Sequence, residues 1–318
     1  MPHQRACSAQ TILSYRDSLK LLLKFAAGTR YKVTEFTVAL LSSQIVTAFL
    51  DHLESKRQNS VATRNVRLTA IHSFFEYLGR EHPEHLLQAQ RILSIPFKRT
   101  TQRTVDYLDA GELRRVLEAV DRSTPMGRRD YLLLTVLFNT GARVQEVVSL
   151  NTTDVRLIPP ASMKFLAKGK KERICPLWPE TAKLIKQFCH ETGLTLHESK
   201  PFFCNHRGGR LTRFGARLIL MRHAERAARS CPALAKKRIH PHVLRHSTAV
   251  HLLKAGVDLS TIAHWLGHAS INTTHKYLTI DLETKRAALA AAGPVVSKSG
   301  ATPRRRVGED LLQWLESL

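Results

Sequence analysis

Between His240 and Leu278 the chain gathers seven histidines, Arg245 and Tyr277 within 39 residues. Two chemistries could use such a cluster. His264 and His268 stand at i, i+4, the spacing with which a helix offers two imidazoles to zinc. The pair lacks the glutamate of a metalloprotease helix, Gly267 is placed to end the helix before His268, and no cysteine stands nearby at ligand spacing. The residues therefore point away from a metal and toward phosphate. His242 and Arg245 are three apart, so a helix puts them on one face. A guanidinium grips two phosphate oxygens in a fork that lysine cannot reproduce. An imidazole beside it can move protons near neutral pH. Tyr277 is a weak nucleophile, its ordinary pKa being about 10, and it needs cations around it. Those cations stand upstream. Arg143 follows Gly141, where a helix break can present it at a concave surface, and Lys168 sits at the turn of an expected β-hairpin. In chain order the set is Arg143, Lys168, His242, Arg245, His268 and Tyr277. His246, His251, His264 and His275 read instead as solvated, capping or core histidines.

The elements that must position this set are mostly helical. Residues 8–28 place Ile12, Leu19, Leu22, Leu23 and Phe25 at helical spacing, with Gly28 as the stop. Residues 42–56 repeat the pattern behind a serine cap. Residues 60–79 put Leu68, Ile71, Phe74, Phe75 and Leu78 on one face and Arg64 and Arg67 on another. A fourth short helix is expected from about Pro83 to Leu93. The stretch "SIPFKRTTQR" has no amphipathic period and reads as a linker. A helix restarts at Asp109, which forms a capping-box pattern with Glu112. Residues 126–150 read as a buried helix, a break at Gly141 and a new helix. Residues 155–178 alternate around "KGKK", which predicts a small antiparallel sheet with a basic hairpin tip. The rest returns to helix. The fold expected is mainly α with a small antiparallel β-sheet. Its division is 1–95 as an all-α domain, 96–104 as a basic linker, 105–292 as an α+β domain, and 293–318 as a tail. In the tail a stripe of Leu311, Leu312, Trp314, Leu315 and Leu318 needs a docking surface, in its own domain or on a neighbouring protomer.

Composition narrows the partner. The 318 residues include 49 Lys+Arg against 26 Asp+Glu, a net charge of +23. The excess is spread along the chain: residues 1–100 hold 14 basic and 7 acidic side chains, so no single tail supplies it. A field of this kind favours a polyanion, and nucleic acid above all. No apolar run of about 18 residues is present, so no membrane span is expected. The opening "MPHQRACSAQ" lacks the apolar centre of a secretory signal. Five cysteines without a CxxC fit a reducing cytoplasm better than a disulfide framework.

The words "TGARVQEVVSL", "AKGKKERICPL", "HPHVLRHSTAVHLLKAGVDLSTIAHWLGH" and "NTTHKYL", in this order, closely resemble the tyrosine recombinase, or phage integrase, family. The likeness is nearest to Xer-type bacterial members and to integrases of plasmids and transposons. "TRNVRLTAIHSFFEYL" resembles the family's N-terminal core-binding domain, and the resemblance spans Thr11 to Tyr277. One departure is Ala167, where many relatives have glycine. The resemblance implies a two-domain, C-shaped clamp on double-stranded DNA, working without metal, ATP or other cofactor in a synaptic homo-tetramer or with a related recombinase. It implies that Tyr277 attacks the scissile phosphate to form a 3′-phosphotyrosyl link. Arg143 and Arg245 would hold the non-bridging oxygens, Lys168 would protonate the leaving 5′-oxygen, His242 would assist proton transfer at the tyrosine, and His268 would hydrogen-bond the phosphate. Arg64, Arg67, Lys98, Arg99, Lys170 and Lys171 are the candidate DNA contacts. Two rival readings share much of this sequence: a type IB topoisomerase-like strand passage, and a catalytically silent DNA-binding accessory member of a recombinase set.

Overall fold

A computed structural model describes residues 9–28, 37–100, 106–166, 172–267, 272–275 and 277. The chain divides into two compact units, Met1–Arg103 and Thr104–Leu318. The first is built from α1 (Ala9–Ala27), α2 (Ser43–Ser55), α3 (Val61–Glu81) and α4 (Leu86–Leu93). Ser42 Oγ accepts the Ile45 N–H and starts α2, whose Val46, Phe49, Leu50 and Leu53 then fall on one buried stripe. Leu22, Leu68, Ile71, Phe75 and Ile92 complete that interior, each such side chain contributing about 1.5–3 kcal/mol by leaving water. Gly28 ends α1 at a φ of +53°, a left-handed value that suits glycine. Two expectations change. Ile12 is 40% exposed, because the buried face of α1 begins only at Ser18. Pro83 opens a single 3-10 turn, Pro83–His85, and the fourth helix starts after it.

The arginine face expected on α3 is also corrected. Arg64 is 4% exposed, and its Nη1 donates to the Pro96 carbonyl at 3.0 Å. Asn65 beside it brackets Lys98, donating to its carbonyl at 2.8 Å and accepting its N–H at 3.2 Å. The His72 and Phe97 rings meet edge to face. The start of the segment expected to be a free linker is thus strapped to α3, and the Arg64 guanidinium serves the strap from inside. The extended backbone at 96–98 has no ladder partner of its own, so side chains satisfy its polar groups instead.

The second unit runs α5 (Ala110–Glu118), α6 (Pro125–Thr140), α7 (Val144–Val148), β1 (Val155–Arg156), β2 (Ser162–Leu166), β3 (Glu172–Pro176), α8 (Pro179–Thr192), α9 (Arg213–Ala228), α10 (Pro232–Ala235), α11 (Pro241–Lys254), α12 (Leu259–Leu266) and α13 (Asn272–His275). Asp109 and Glu112 close the capping box that starts α5. The sheet is antiparallel in the order β1-β2-β3. Met163 and Phe165 of β2 face the core, while Lys164 and Leu166 face out, the alternation a half-buried strand requires. Register pairs Met163 with Cys175 and Leu166 with Glu172. Helices α6 and α11 lie at the centre, and α11 buries Val243, Leu244, Arg245, Ser247, Thr248, Ala249, Val250 and Leu253. Among the described residues no helix is long and apolar enough to cross a membrane.

Gly141 is the joint that brings α6, α11 and α12 together. It caps α6 at a φ of +56°, and an added Cβ would stand 2.6 Å from Leu266 Cδ2 and 3.2 Å from Thr248 Cγ2. Left-handed strain and overpacking act together there. Gly141→Ala is expected to lower the unfolding free energy by about 2–4 kcal/mol, read from urea denaturation followed by circular dichroism.

Candidate active site

Two of the predicted cations converge on the Gly141 break. Arg143 is the N-cap of α7. Its backbone N–H donates to Glu146 Oε2 at 2.9 Å, and its Nη1 donates to Glu146 Oε1 at 2.9 Å. Its side chain remains 38% exposed, so part of the guanidinium faces solvent. Arg245, by contrast, is 3% exposed. Its Nη1 donates to the Gly141 carbonyl at 2.8 Å and its Nη2 to the Leu266 carbonyl at 2.7 Å. Those oxygens belong to the C-terminal ends of α6 and α12. Helix ends leave such carbonyls unpaired and carry partial negative charge, so a cation is favoured there. Two of five guanidinium donors are spent on the scaffold, which fixes the plane of the group.

A third arginine completes the arrangement. Arg173 of β3 donates to Glu146 Oε2 at 2.7 Å, to the Trp265 carbonyl at 2.7 Å and to Cys175 Sγ at 2.7 Å. Its guanidinium carbon lies 4.9 Å from the Phe165 ring centroid. Glu146 therefore bridges Arg143 and Arg173 from a nearly buried position. Burial would raise its pKa, but the charge and hydrogen bonds of Arg173, with those of Arg143, outweigh that and hold it below the ordinary 4.5. The pKa of Arg245 is lowered too, here against its charged form. Burial, and then the like charge of Arg143, bring its pKa down to about 10, still well above neutrality. Sequence reasoning missed both Glu146 and Arg173. Glu146 was within reach of it, since it stands three residues past an N-cap, where a glutamate reaches back to the cap N–H.

Tyr277 has no exposed surface. It packs with Ala249, Val250, Leu253, Ile262 and Leu266. Its pKa is pushed up to about 12 by burial, against the opposing pull of Arg245. The phenol is therefore neutral and holds its proton near pH 7. Its oxygen lies 2.7 Å from Nδ1 of His246, a residue the sequence reading set aside. His242 sits one turn earlier on α11, its ring 6.3 Å from that of His246 and tilted by 27°, and its side chain is exposed. The signal for His246 was present: it is i+4 from His242, on the same helix face.

Lys168, Lys170, Lys171 and His268 lie outside the described residues. In the first unit, Arg67 is half-buried with Nη1 donating to Ser18 Oγ at 2.9 Å. Lys98 is exposed and ion-paired with Glu54, and Arg99 is exposed. Among the described residues no group of three or more His, Cys, Asp or Glu is placed to hold a metal ion. Guanidinium groups held in fixed planes beside a shielded phenol and an imidazole form a site suited to an anionic ester.

Comparison with known proteins bears on the same point. Residues 106–283 match the model of the phage integrase family, and residues 1–82 that of the phage integrase N-terminal SAM-like domain. A protein of Sinorhizobium fredii (strain NBRC 101917 / NGR234), y4rC, named as an integrase/recombinase, is 41% identical over 99% of this chain and 94% of its own. The tyrosine recombinase XerC of Roseiflexus castenholzii (strain DSM 13941 / HLO8) is 34% identical over 93% of this chain and 91% of its own. Among solved structures, the XerH site-specific recombinase bound to its difH substrate superposes with a TM-score of 0.67 at 24% identity, over 89% of this chain and 80% of that one. The Tn1549 transposon integrase with transposon right-end DNA gives 0.70 at 14% identity, over 91% and 95%. The site is that of a DNA strand-exchange transesterase. The chain belongs to the phage integrase family of tyrosine recombinases.

The depressed pKa of Glu146 fixes the sign of one stability effect. Its contribution is present above about pH 4.5, the unfolded value, and is lost as the pH falls through the lower folded value. Glu146→Gln is expected to cost about 3–5 kcal/mol at neutral pH, since two arginines lose their buried anion. It should also make the acid decline in stability shallower. Urea midpoints measured across about pH 3–7 check both.

Proposed function

We propose that this protein is a site-specific recombinase or integrase that closes its two units around duplex DNA and exchanges strands through a 3′-phosphotyrosyl intermediate. One observation carries the reading. Arg245 is pinned to the Gly141 and Leu266 carbonyls, Tyr277 packs in one cluster with Leu266, and Arg143 is held at the same helix break. Arg143 and Arg245 stabilise the extra charge on the non-bridging oxygens as the tyrosine adds. Tyr277 Oη forms its bond to phosphorus as the bond to the 5′-oxygen breaks, and that oxygen takes a proton from Lys168. His268 hydrogen-bonds the phosphate, and His242 serves proton transfer near the tyrosine. In the second half, a 5′-hydroxyl attacks the phosphotyrosine and Tyr277 leaves. One phosphoester replaces another, so the exchange conserves bond energy and holds the broken end covalently.

The clamp follows the same logic. Lys98 and Arg99 beside the strap, with Arg67 and the hairpin residues Lys170 and Lys171, supply phosphate contacts that position the duplex without reading sequence. Four protomers on two synapsed sites, working in the cytoplasm, complete the reaction. Since Tyr277 is shut away from solvent, binding of DNA must part its cover before a phosphate can meet the hydroxyl.

A pool of randomised duplexes, each with a suicide nick, is expected to yield a denaturation-resistant protein–DNA adduct with the full chain. Tyr277→Phe should abolish the adduct. Arg245→Lys should slow it by a factor of about 100 or more, with duplex binding retained. Formation of an equal adduct by the Tyr277→Phe protein would remove the reading. Separately, Lys98→Ala with Arg99→Ala should weaken binding to all duplexes alike and reduce the slope of log K against log salt by about 1–2. Filter binding over a salt series measures this.

A further inference from the structure

We infer that His246 is a catalytic residue, the first acceptor of the Tyr277 proton; this rests on the proposed role of Tyr277 as nucleophile. The contact is direct, with His246 Nδ1 2.7 Å from Tyr277 Oη, within the range of a good hydrogen bond. The phenol must donate in it. Burial holds its pKa near 12, so the oxygen carries its proton and the ring nitrogen accepts, with the imidazole hydrogen on Nε2. A phenol this reluctant to ionise supplies almost no phenolate near neutrality, roughly one part in 100,000. An acceptor already in contact removes that obstacle, because the proton leaves as the bond to phosphorus forms.

The scaffold supports this assignment. His246 follows Arg245 directly on α11, and Arg245 is pinned at both ends of its guanidinium. The imidazole is therefore carried by the same rigid turn that places a phosphate-binding cation. Next along, Ser247 Oγ accepts the Leu108 N–H at 2.7 Å and Thr248 Oγ1 donates to the Phe138 carbonyl at 2.6 Å, which holds the helix in rotation. His242 lies behind His246 on the exposed side, the ring centroids 6.3 Å apart. The proton count closes. Tyr277 O–H passes its proton to His246 Nδ1 during cleavage while the 5′-oxygen is protonated by the acid on its own side. In the religation half, His246 returns the proton to the departing phenolate oxygen while the attacking 5′-hydroxyl gives its own back to the group that protonated it, Lys168 in the proposed mechanism.

The test uses the full chain and a nicked duplex selected from the randomised pool by covalent capture with the wild-type protein. If no duplex is captured, the recombinase reading itself fails, and the role of His246 falls with it. With a captured duplex, His246→Gln and His246→Ala should bind it as wild type does but form the adduct about 100-fold more slowly or worse. Two further measurements separate proton transfer from packing. A duplex with a 5′-bridging phosphorothiolate, whose sulfur leaves without protonation, should leave the His246 defect intact while rescuing Lys168→Ala. Difluorotyrosine at position 277, a more acidic phenol, should recover most of the rate lost by His246→Gln. Adduct formation by His246→Gln within about threefold of wild type overturns the assignment. So does rescue of that variant by the phosphorothiolate, or a failure of the fluorinated phenol to help it. If both variants lose binding in proportion to rate, His246 is structural and the assignment is also wrong.

Discussion

Guanidinium groups gathered under a surface meant for phosphate repel one another, and Glu146 is what lets them stay. Its carboxylate lies between Arg143 and Arg173, with burial that strengthens every interaction it makes. Without an anion at that point, Arg143 would swing to water and Arg173 would be a buried, uncompensated charge. The arrangement is conditional in a useful way. Glu146 balances one of the three positive charges, so the site keeps a positive excess for an incoming phosphate. The like charges of Arg143 and Arg173 register on Arg245, whose pKa they help to lower.

The second support is main-chain rather than ionic. The ends of α6 and α12 each offer a carbonyl, and Arg245 takes both while Arg173 takes that of Trp265. Carbonyls at helix ends are fixed by everything behind them. A side chain held by them inherits the rigidity of the core. This is why Gly141 matters beyond its own turn: its left-handed cap lets α6 stop where Leu266 and Thr248 press on it, and its carbonyl is one of the two that hold Arg245. Packing and transition-state geometry share one residue.

Much of the fold was legible. The serine cap of α2, the Asp109–Glu112 box, the stop at Gly28 and the alternation in β2 are local signals, and each appears where the residues put it. What failed was facing. Arg64 and Arg67 share an α3 face that the sequence offers to DNA, yet Arg64 turns inward to donate to the Pro96 carbonyl. Nothing in the helix period reveals that partner, which stands about thirty positions away. In the site, the motif words pointed to Arg143, Arg245 and Tyr277; the structure holds the two arginines at one helix break and packs Tyr277 with Leu266. The histidine in contact with the phenol, His246, was passed over because a repeated histidine on one face offers two candidates, and only tertiary contact distinguishes them. Arg173 stood in a strand as one basic residue among several, without any mark of its importance.

The complete enclosure of Tyr277 has a consequence for how such an enzyme spends its idle time. A strongly cationic protein will drift along any nucleic acid it meets, and a nucleophile left in the open would sever backbones wherever it paused. Here Tyr277 is packed with Leu253, Ile262 and Leu266, and its hydroxyl, protonated, is bonded to His246. On the proposed role of Tyr277, an encounter that leaves this packing closed leaves the backbone uncut, so fidelity can be set by a movement made before any covalent bond is touched.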